Sequence, residues 1–250
     1  MLEPVLQASN LVKRFGGLTA TDDLSLDIRE GEIHAVIGPN GAGKTTMIGQ
    51  LIGELRPDAG SIRFMGRDIT HLPVHKRSHL GIARSFQITS IFLNFTALDN
   101  VALAVQAHDG HSFRFWADAR RDARLRDPAM DALKQVGLAH RADVVASALS
   151  HGEHRQLEIA MALATKPKLL LLDEPMAGMG PEDSARMVTM LQGIKGSVTM
   201  LLIEHDMDAV FALADRITVL VYGHGIATGT PDEIRRNEQV RQAYLGDEAE

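Results

Sequence analysis

A glycine-rich stretch, GPNGAGKTT, directly follows the apolar run Ile33–Ile37 and constrains the fold more than any other feature of this sequence. From Gly38 to Thr45 it fits the pattern Gly-x-x-x-x-Gly-Lys-Ser/Thr, and the next residues, Met47–Leu55, have a helix-forming composition. Glycines allow the backbone to curl so that successive N–H groups point at phosphate oxygens, and the positive end of a helix adds to this attraction. We therefore expect a strand, a phosphate-binding loop and a helix that together hold a nucleoside triphosphate.

The pattern assigns a role to each residue of the loop. Lys44 supplies a point charge for the phosphates, and Thr45 supplies a hydroxyl ligand for Mg²⁺. We discard the alternative of a glycine-rich turn with an accidental Lys-Thr pair, because the full pattern stands between a strand and a helix. The other predicted nucleotide contacts are Gly38, Pro39, Asn40, Gly41, Ala42, Gly43 and Thr46.

Two carboxylates, Asp173 and Glu174, directly follow the apolar run Leu169–Leu172. Ligands of open α/β sheets bind at the carboxyl ends of the strands, where these side chains are expected. Asp173 is predicted to reach Mg²⁺, and Glu174 to orient or deprotonate a water that attacks the terminal phosphate. For the pair alone, a strand that runs out into solvated acids is an equal alternative, but the phosphate loop upstream favours a P-loop ATPase.

The order of predicted elements indicates an α/β core that a helical insertion divides. Short N-terminal strands, Leu6–Val12 and Leu24–Ile28, predict an antiparallel edge. Helices without an intervening strand follow between Gln87 and about Pro167. The insertion has predicted helices at Leu98–Val105, Pro128–Val136 and Leu157–Ala164, and the elements after strand Leu169–Leu172 are helix Glu182–Ile194, strand Thr199–Ile203, helix Met207–Leu213 and strand Ile217–Val221.

Composition excludes several classes of protein. The chain has 250 residues, which suits one large domain or a core with an insertion, and its 26 Lys+Arg against 32 Asp+Glu leave a net charge of −6. This balance makes nucleic acid an unlikely main partner. The absence of cysteine excludes disulfides and thiolate sites and fits a reducing compartment. The apolar runs are shorter than the roughly 18 to 20 residues of a membrane span, and the first ten residues do not resemble a secretory signal, so we expect a cytoplasmic chain.

Five ordered motifs resemble those of the ATP-binding cassette family. Besides the two motifs above, they are Gln87 in RSFQ, the segment LSHGE at 149–153, and His205 in IEHDM. The resemblance spans nearly the whole chain. It implies a single α/β domain with a P-loop NTPase (RecA-like) core at 1–96 and 166–250, an antiparallel β edge, a helical subdomain at about 97–165, and ATP and Mg²⁺ as cofactors.

The resemblance also implies roles for residues that composition and spacing do not single out. Gln87 links Mg²⁺ or water at the nucleotide to the coupling helix of a transmembrane partner, and His205 contacts the terminal phosphate. Phe15, in KRFGG, matches the aromatic position that stacks on adenine, although it could also be an edge-strand residue that packs on the sheet.

The segment LSHGE is similar to the family's signature, which binds the terminal phosphate held by the opposite subunit. Ser150 and Gly152 match the common form, whereas His151 and Glu153 stand where Gly and Gln are usual. The resemblance implies that Ser150, Gly152 and Glu153 contact the nucleotide. An ionisable ring at 151 gives the hypothesis that charge is added beside the phosphate as pH falls. Gly180 stands where many relatives carry an Asp that contacts the partner subunit, which puts the details of communication between subunits in doubt.

The branch of the family is indicated by AGMG, LIEHDMDAVFALADRITVL and GTPDEIRRNEQVRQAYLG. They resemble the ATPase subunits of bacterial importers for branched-chain amino acids, with urea and amide importers as close relatives. This implies a second cassette, two permeases, indirectly a periplasmic solute-binding protein, no nucleic acid, and a peripheral location on the cytoplasmic face of the cell membrane. Which of branched-chain amino acids, urea, amides or small aromatic acids is carried stays open.

Two alternatives belong to other classes of cassette. Soluble cassette ATPases that act on nucleic acid or ribosomes usually carry two cassettes or large added domains. The ATPase of a lipopolysaccharide exporter usually lacks so long an insertion around 108–126. Within it, the segment 111–126 holds the only Trp and five Arg, and is either a solvated helix or a contact surface for a partner chain.

Overall fold

The computed structural model describes residues 4–85, 91–109 and 122–245, and its strands form two sheets. In chain order the strands are β1 (Leu6–Phe15), β2 (Leu18–Ile28), β3 (Ile33–Ile37), β4 (Ala59–Phe64), β5 (Arg67–Asp68), β6 (Ile82–Arg84), β7 (Leu169–Asp173), β8 (Thr199–Ile203), β9 (Arg216–Val221) and β10 (His224–Gly229). One sheet has the order β2-β1-β4-β5 and is antiparallel. The other has the order β10-β9-β3-β8-β7-β6, in which only the pairing of β10 with β9 is antiparallel.

Helices connect the parallel strands, and their apolar residues belong to the clusters on both faces of the larger sheet. They are α1 (Lys44–Ile52), α2 (Val74–Leu80), α3 (Ala97–Asp109), α4 (Ala123–Gln135), α5 (His151–Ala164), α6 (Pro181–Ile194), α7 (Met207–Leu213), α8 (Pro231–Arg236) and α9 (Glu238–Val240), and a π-helical turn follows at Arg241–Leu245. No helix in the described part of the chain is long and apolar enough to cross a membrane.

Strand β7 shows how the larger sheet is buried on both faces. Leu170 and Leu172 belong to the apolar cluster that includes α3 to α6, whereas Leu169 and Leu171 belong to the cluster shared with the antiparallel sheet and α1. Because side chains alternate across a strand, a run of four leucines serves both faces. This two-sided burial explains why the strand is uninterrupted by polar residues until Asp173.

The predicted central elements agree with the structure, which confirms the α/β fold with an antiparallel edge. The bounds of β3, β8 and α7 are those expected from the sequence. Helix α1 begins earlier than predicted, at Lys44, and ends at Ile52 because Gly53 takes a left-handed conformation (φ 89°) and donates its N–H to Gly49 O.

Other bounds differ because capping interactions extend the helices. Helix α4 begins at Ala123 instead of Pro128, since the Asp122 carboxylate accepts a hydrogen bond from Arg124 N. Helix α5 begins at His151 instead of Leu157, after a capping box at its first turn. Helices α3 to α5 fall within residues 97–165, and the bounds of a helical subdomain there stay a prediction.

Candidate functional site

The carboxyl ends of the parallel strands bring three predicted motifs to one edge of the larger sheet. Strand β3 ends at the glycine-rich loop, β7 ends at Asp173, and β8 is followed by Glu204 and His205. Strands β7 and β8 pair in register, with Asp173 opposite Ile203. Residues distant in the sequence therefore meet where open α/β sheets bind their ligands.

The glycine-rich loop is held so tightly that two of its positions exclude a side chain. A Cβ atom at Gly38 would lie 2.0 Å from Leu220 O, and one at Gly43 would lie 2.2 Å from Ala20 O. Both glycines also have positive φ, 154° and 103°. The loop is thus clamped between β9 and β2, and its conformation requires glycine at both places.

Lys44 lies over this loop at the first position of α1. Its Nζ donates hydrogen bonds to the carbonyl oxygens of Gly38 and Pro39, the latter at 3.0 Å. Burial lowers the pKa of the Lys44 ammonium, and the nearby carboxylates of Glu174 and Asp173 oppose this effect. The two hydrogen bonds hold the Lys44 ammonium at the loop, where it can contact a bound phosphate.

The start of α1 offers further backbone donors. Gly43 at the N-cap has no side chain that could cap the helix, and the first turn contains no acidic residue. Thr45 and Thr46 follow in this turn, so their hydroxyls lie beside the N–H groups. A helix start that lacks its own capping side chain is suited to bind an anion.

Asp173 and Glu174 differ in their surroundings although they are adjacent. The Asp173 side chain is buried and forms an ion pair with Arg84, from Nη2 to Oδ2 at 2.8 Å. Glu174 has a positive φ of 49°, donates its N–H to Ile203 O at 2.9 Å, and has a side chain that is 35% exposed. Asp173 is therefore paired with a cation and buried, whereas the Glu174 carboxylate is accessible.

His205 lies next to Glu174 at this edge. Its Nδ1 is 4.0 Å from Glu174 Oε1, and most of its side chain is exposed. The neighbouring Glu204 is buried and accepts hydrogen bonds from the backbone N–H groups of Met176 (2.9 Å) and His205 (3.0 Å). Glu204 therefore joins the turn after β7 to the turn after β8. Glu174 and His205 remain accessible for chemistry.

A loop of backbone donors, a lysine, an accessible acid and a histidine at one sheet edge can bind and hydrolyse a nucleoside triphosphate. A family model described as "ABC transporter" matches residues 21–177, which contain the loop and both acids. The chain belongs to the ABC transporter family. A second model, "Branched-chain amino acid ATP-binding cassette transporter", matches residues 226–250. The predicted family and ATPase activity are confirmed, and the chain is an ABC ATPase cassette.

Curated relatives match the cassette over its full length. The branched-chain amino acid transport protein BraF of Pseudomonas aeruginosa is 38% identical over 254 residues, which cover 99% of this chain and 100% of the relative. LivG of Salmonella typhimurium is 39% identical with the same coverage. The lipopolysaccharide export protein LptB of Escherichia coli is 36% identical and covers 97% of this chain and 98% of the relative.

A solved cassette has the same fold. The ADP conformation of MJ1267, an ATP-binding cassette of an ABC transporter, superposes with a TM-score of 0.85 at 30% identity, over 97% of this chain and 99% of the other. The likeness confirms the predicted fold class.

The signature segment of the cassette forms the start of α5. Ser150 N donates to Glu153 Oε2 at 2.8 Å, and Glu153 N donates to Ser150 Oγ at 3.2 Å. The Glu153 carboxylate also pairs with Arg141 at 3.0 Å. Gly152 is buried, and a Cβ there would lie 3.4 Å from Asp183. Glu153 thus fixes the helix start, which presents Ser150 to solvent.

The signature contacts the turn that follows β7. None of the hydrogen bonds or ion pairs found within the described residues joins the start of α5 to that loop. Instead, His151 Nε2 lies 3.3 Å from the carbonyl oxygen of Ala177, in the turn between β7 and α6. The His151 ring therefore connects α5 to the segment that ends at Gly180.

Phe15 lies at the end of β1, and its side chain is 48% exposed. It pairs with Leu18 across the β1–β2 hairpin, and Ala20 of the same hairpin touches the phosphate loop. The ring is therefore not buried against the sheet, and its stacking on a base stays a prediction. Lys13 Nζ lies 5.6 Å from the centre of this ring.

Two predictions fall on residues that the structure does not describe. Gln87 lies outside the described residues. Residues 111–121 of the segment rich in Arg and Trp also lie outside them. Of the remainder, Asp122 to Arg126 opens α4, and Arg126 Nη1 pairs with Asp99 at 3.0 Å. This pair favours a structural role for that arginine.

Sequence reasoning missed Arg84, which lies at the end of β6 and bridges two acids. Its Nη1 is 3.2 Å from Glu54 Oε2, and its Nη2 contacts Asp173. Only its position three residues before Gln87 could have drawn attention to it. The partners are 30 and 89 residues away in the sequence, and so the pattern gave no sign of the bridge.

Proposed function

We propose that this chain is the ATP-hydrolysing subunit of a bacterial importer for branched-chain amino acids or related small solutes. The observation that carries the proposal is similarity to BraF and LivG over essentially the full length of each protein. The match of residues 226–250 to the model for branched-chain amino acid cassettes supports the same branch at the C-terminus.

The phosphate loop and α1 bind the triphosphate. The loop backbone and the first turn of α1 donate hydrogen bonds to phosphate oxygens, and Lys44 neutralises charge that develops during cleavage. Phe15 stacks on the adenine from the neighbouring hairpin. These contacts position the terminal phosphate at the edge of the sheet.

The oxygen atoms of Thr45 and Asp173 fit Mg²⁺, which prefers hard oxygen ligands and usually shares few protein ligands with the phosphates. The described residues contain no group of three or more His, Cys, Asp and Glu that could hold a metal on its own. A site of this kind therefore suits a cation that arrives with the nucleotide. Mg²⁺ would neutralise phosphate charge there. Gln87 would link Mg²⁺, or a water at the nucleotide, to the transmembrane partner.

Glu174 activates the attacking water. Its carboxylate is accessible, and its backbone is fixed by the bond to Ile203 O. His205, 4.0 Å away, contacts the terminal phosphate and helps to align it. The buried Glu204 cannot replace Glu174 because backbone N–H groups already occupy its oxygens.

A second cassette completes the site. Ser150 and Gly152, at the start of α5, bind the terminal phosphate that the second cassette holds, because the helix start supplies N–H groups and a favourable dipole. Two ATP molecules thus join two cassettes, and hydrolysis with release of phosphate separates them. The difference in affinity between the two states drives the permeases.

The permeases dock in a groove beside the site. This groove, of about 500 Å³, lies among α2, β6, α3 and α5 and has mostly apolar walls. Phe92, which lines the groove, is 55% exposed and stacks on Phe95 with the ring centres 5.5 Å apart. Arg84 lies in the groove and also touches Asp173, so a docked segment would be connected to the site. A peripheral location on the cytoplasmic face of the membrane follows from this docking.

The ATPase of a lipopolysaccharide exporter is the second candidate. LptB is 36% identical over nearly the whole chain, only slightly less than the importer proteins. The C-terminal match favours the importer. A soluble cassette acting on nucleic acid or ribosomes has no comparable support.

Partners test the proposal directly. The chain is purified from gently solubilised membranes of its host, and copurifying proteins are identified by mass spectrometry. Two permeases and a second cassette are expected. Ribosomal proteins, DNA-bound proteins or the subunits of a lipopolysaccharide exporter would contradict the importer and leave the ATPase chemistry unchanged.

A further inference from the structure

An acidic side chain lies at the start of α5, beside the groups that we assign to the phosphate of a second cassette. Glu153 Oε2 accepts a hydrogen bond from Ser150 N at 2.8 Å, and Ser150 Oγ accepts one from Glu153 N at 3.2 Å. The Glu153 carboxylate is therefore held in the same turn as the Ser150 hydroxyl. An unpaired negative charge at this place would repel a triphosphate that approaches the serine.

An arginine neutralises this carboxylate. Arg141 Nε lies 3.0 Å from Glu153 Oε1, and Arg141 Nη2 donates a hydrogen bond to Ala148 O at 3.2 Å. The arginine ends a short 3₁₀ turn, Ala139–Arg141, in the connection between α4 and α5. The side chains of Arg141 and Glu153 are 33% and 23% exposed. Because the pair is partly shielded from water, salt screens its charges less than those of a fully exposed pair.

A second acid near the signature is paired in the same way. A hollow of about 300 Å³ beside the start of α5 has Ser150, Glu153, Asp183 and Arg186 among its lining residues. Asp183 and Arg186, one turn apart on α6, form an ion pair. Both acids among the described residues that line this hollow thus have an arginine as partner. This pairing suits a surface that receives an anion.

We propose that Arg141 is a positioning residue for ATP binding between two cassettes. It neutralises Glu153, so that Ser150 and Gly152 can receive the triphosphate that the second cassette holds. This inference rests on the proposed function, in which a second cassette completes the site. Arg141 acts through Glu153 and not through a contact of its own with the nucleotide, so the net charge of the pair sets the affinity for ATP.

Three variants change the net charge of the pair in both directions. Arg141→Gln leaves one negative charge, Glu153→Gln leaves one positive charge, and the double variant leaves none, as in the wild type. Gln at the third position of a helix also forms a capping box, so Glu153→Gln preserves the start of α5. Lys134→Gln is the matched control, because it removes an exposed cation that pairs with Asp131 on α4 and does not line the hollow.

The measurement is the ATP concentration that half-saturates hydrolysis by the complex that copurifies with the chain, with each variant in place of the wild type. We expect Arg141→Gln to raise this concentration about 10-fold, with kcat within about twofold of the wild type, and Glu153→Gln to lower it several-fold. The double variant and Lys134→Gln are expected to match the wild type. The differences should shrink in about 0.5 M salt, because salt screens the charges.

The double variant distinguishes a charge effect from a structural effect. If Arg141 only holds the connection before α5, or contacts the nucleotide itself, the double variant binds ATP as weakly as Arg141→Gln, and this result would overturn the proposal. An unchanged half-saturating concentration for both single variants would also overturn it. If Arg141→Gln does not fold, an unchanged concentration for Glu153→Gln is the contradicting result.

The substitution Ser150→Ala separates this proposal from the proposed function. If Ser150→Ala lowers turnover but the charge variants all match the wild type, only the role of Arg141 is wrong. If Ser150→Ala hydrolyses ATP as fast as the wild type, the second cassette does not use this signature, and the role of Arg141 is wrong as well. The transported solute does not enter the measurement, so a failure of the importer assignment would leave the result unchanged.

Discussion

Arg84 Nη2 donates a hydrogen bond to Asp173 Oδ2 at 2.8 Å, so the acid that we assign to Mg²⁺ already has a cation beside it. The same guanidinium contacts Glu54 at 3.2 Å and lines the groove assigned to the permeases. Arg84 is therefore a direct connection between the two sites. Any movement of this side chain changes the electrostatic potential at the Asp173 carboxylate.

Replacing this arginine tests the competition between the two cations. Arg84→Gln removes a positive charge next to Asp173, so we expect Mg²⁺ to promote ATP binding at a concentration several-fold lower than in the wild type. Titration of a fluorescent ATP analogue with Mg²⁺ measures this. Arg63→Gln, at an exposed position of β4, is the control. A higher Mg²⁺ requirement would show that Arg84 orients Asp173 and does not compete for it.

Glu174→Gln should bind ATP normally and hydrolyse it at least about 100-fold more slowly, because an amide cannot accept the proton of the attacking water. Phosphate release and equilibrium binding of ATP measure the two effects. Glu182→Gln changes an exposed acid in the first turn of α6 and is expected to have no effect. Near-normal turnover by purified Glu174→Gln would refute the assignment.

His151 was given a pH-dependent role by hypothesis, and its ring contacts Ala177 O in the structure. If the ring also faces the phosphate of a second cassette, His151→Gly should alter the pH profile of turnover. His71→Gly, at an exposed turn before α2, is the control. An unchanged profile would show that the histidine only contacts the turn.

Arg77 stabilises the core through hydrogen bonds to backbone carbonyl groups. Its guanidinium donates to the carbonyls of Gln50 and Leu51 at the end of α1, and to those of Thr70 and Leu72. Burial lowers the pKa of Arg77 to about 10, so the group remains charged at neutral pH. We expect Arg77→Met to lower the free energy of unfolding by at least about 3 kcal/mol, since it leaves buried carbonyls unpaired. Urea unfolding measures this free energy, and Arg67→Met, at an exposed position, is the control. A loss of unfolding free energy below about 1 kcal/mol for Arg77→Met would contradict the prediction.

The ion pair between Asp27 and Arg216 predicts part of the acid sensitivity. The hydrogen bond from Arg216 lowers the pKa of Asp27 in the folded chain, so the pair stabilises above the ordinary carboxyl pKa. That stability is lost as pH falls through the lowered pKa. Asp27→Asn should therefore reduce the slope of stability against pH below about pH 4, whereas exposed Asp131→Asn should not. Equal slopes for the wild type and Asp27→Asn would contradict the prediction.

The sequence predicted the parts of the site in which one local pattern determines both structure and chemistry. In the loop from Gly38 to Thr45, the residues that fix the backbone are the ones that bind phosphate. The run before Asp173 is apolar on both faces, so its burial and its direction could be inferred. The family resemblance added His205 and the signature, which no local pattern would have assigned.

The rest depends on contacts between residues distant in the sequence. Arg84 acquires its role only when β6 pairs with β7. Strand β10, with the sequence HGIATG, has too little apolar alternation to be predicted and is formed by pairing with β9. Tertiary pairing therefore decided these elements, and their local propensity did not.

Transport by the assembled complex tests the central claim most directly. The complex that copurifies with the chain is reconstituted in liposomes with ATP inside, and uptake of radiolabelled leucine is measured with its binding protein outside. We predict uptake that requires ATP and is lost with Glu174→Gln. Hydrolysis of ATP by the wild-type complex without uptake of leucine, another branched-chain amino acid or a related small solute would contradict the importer.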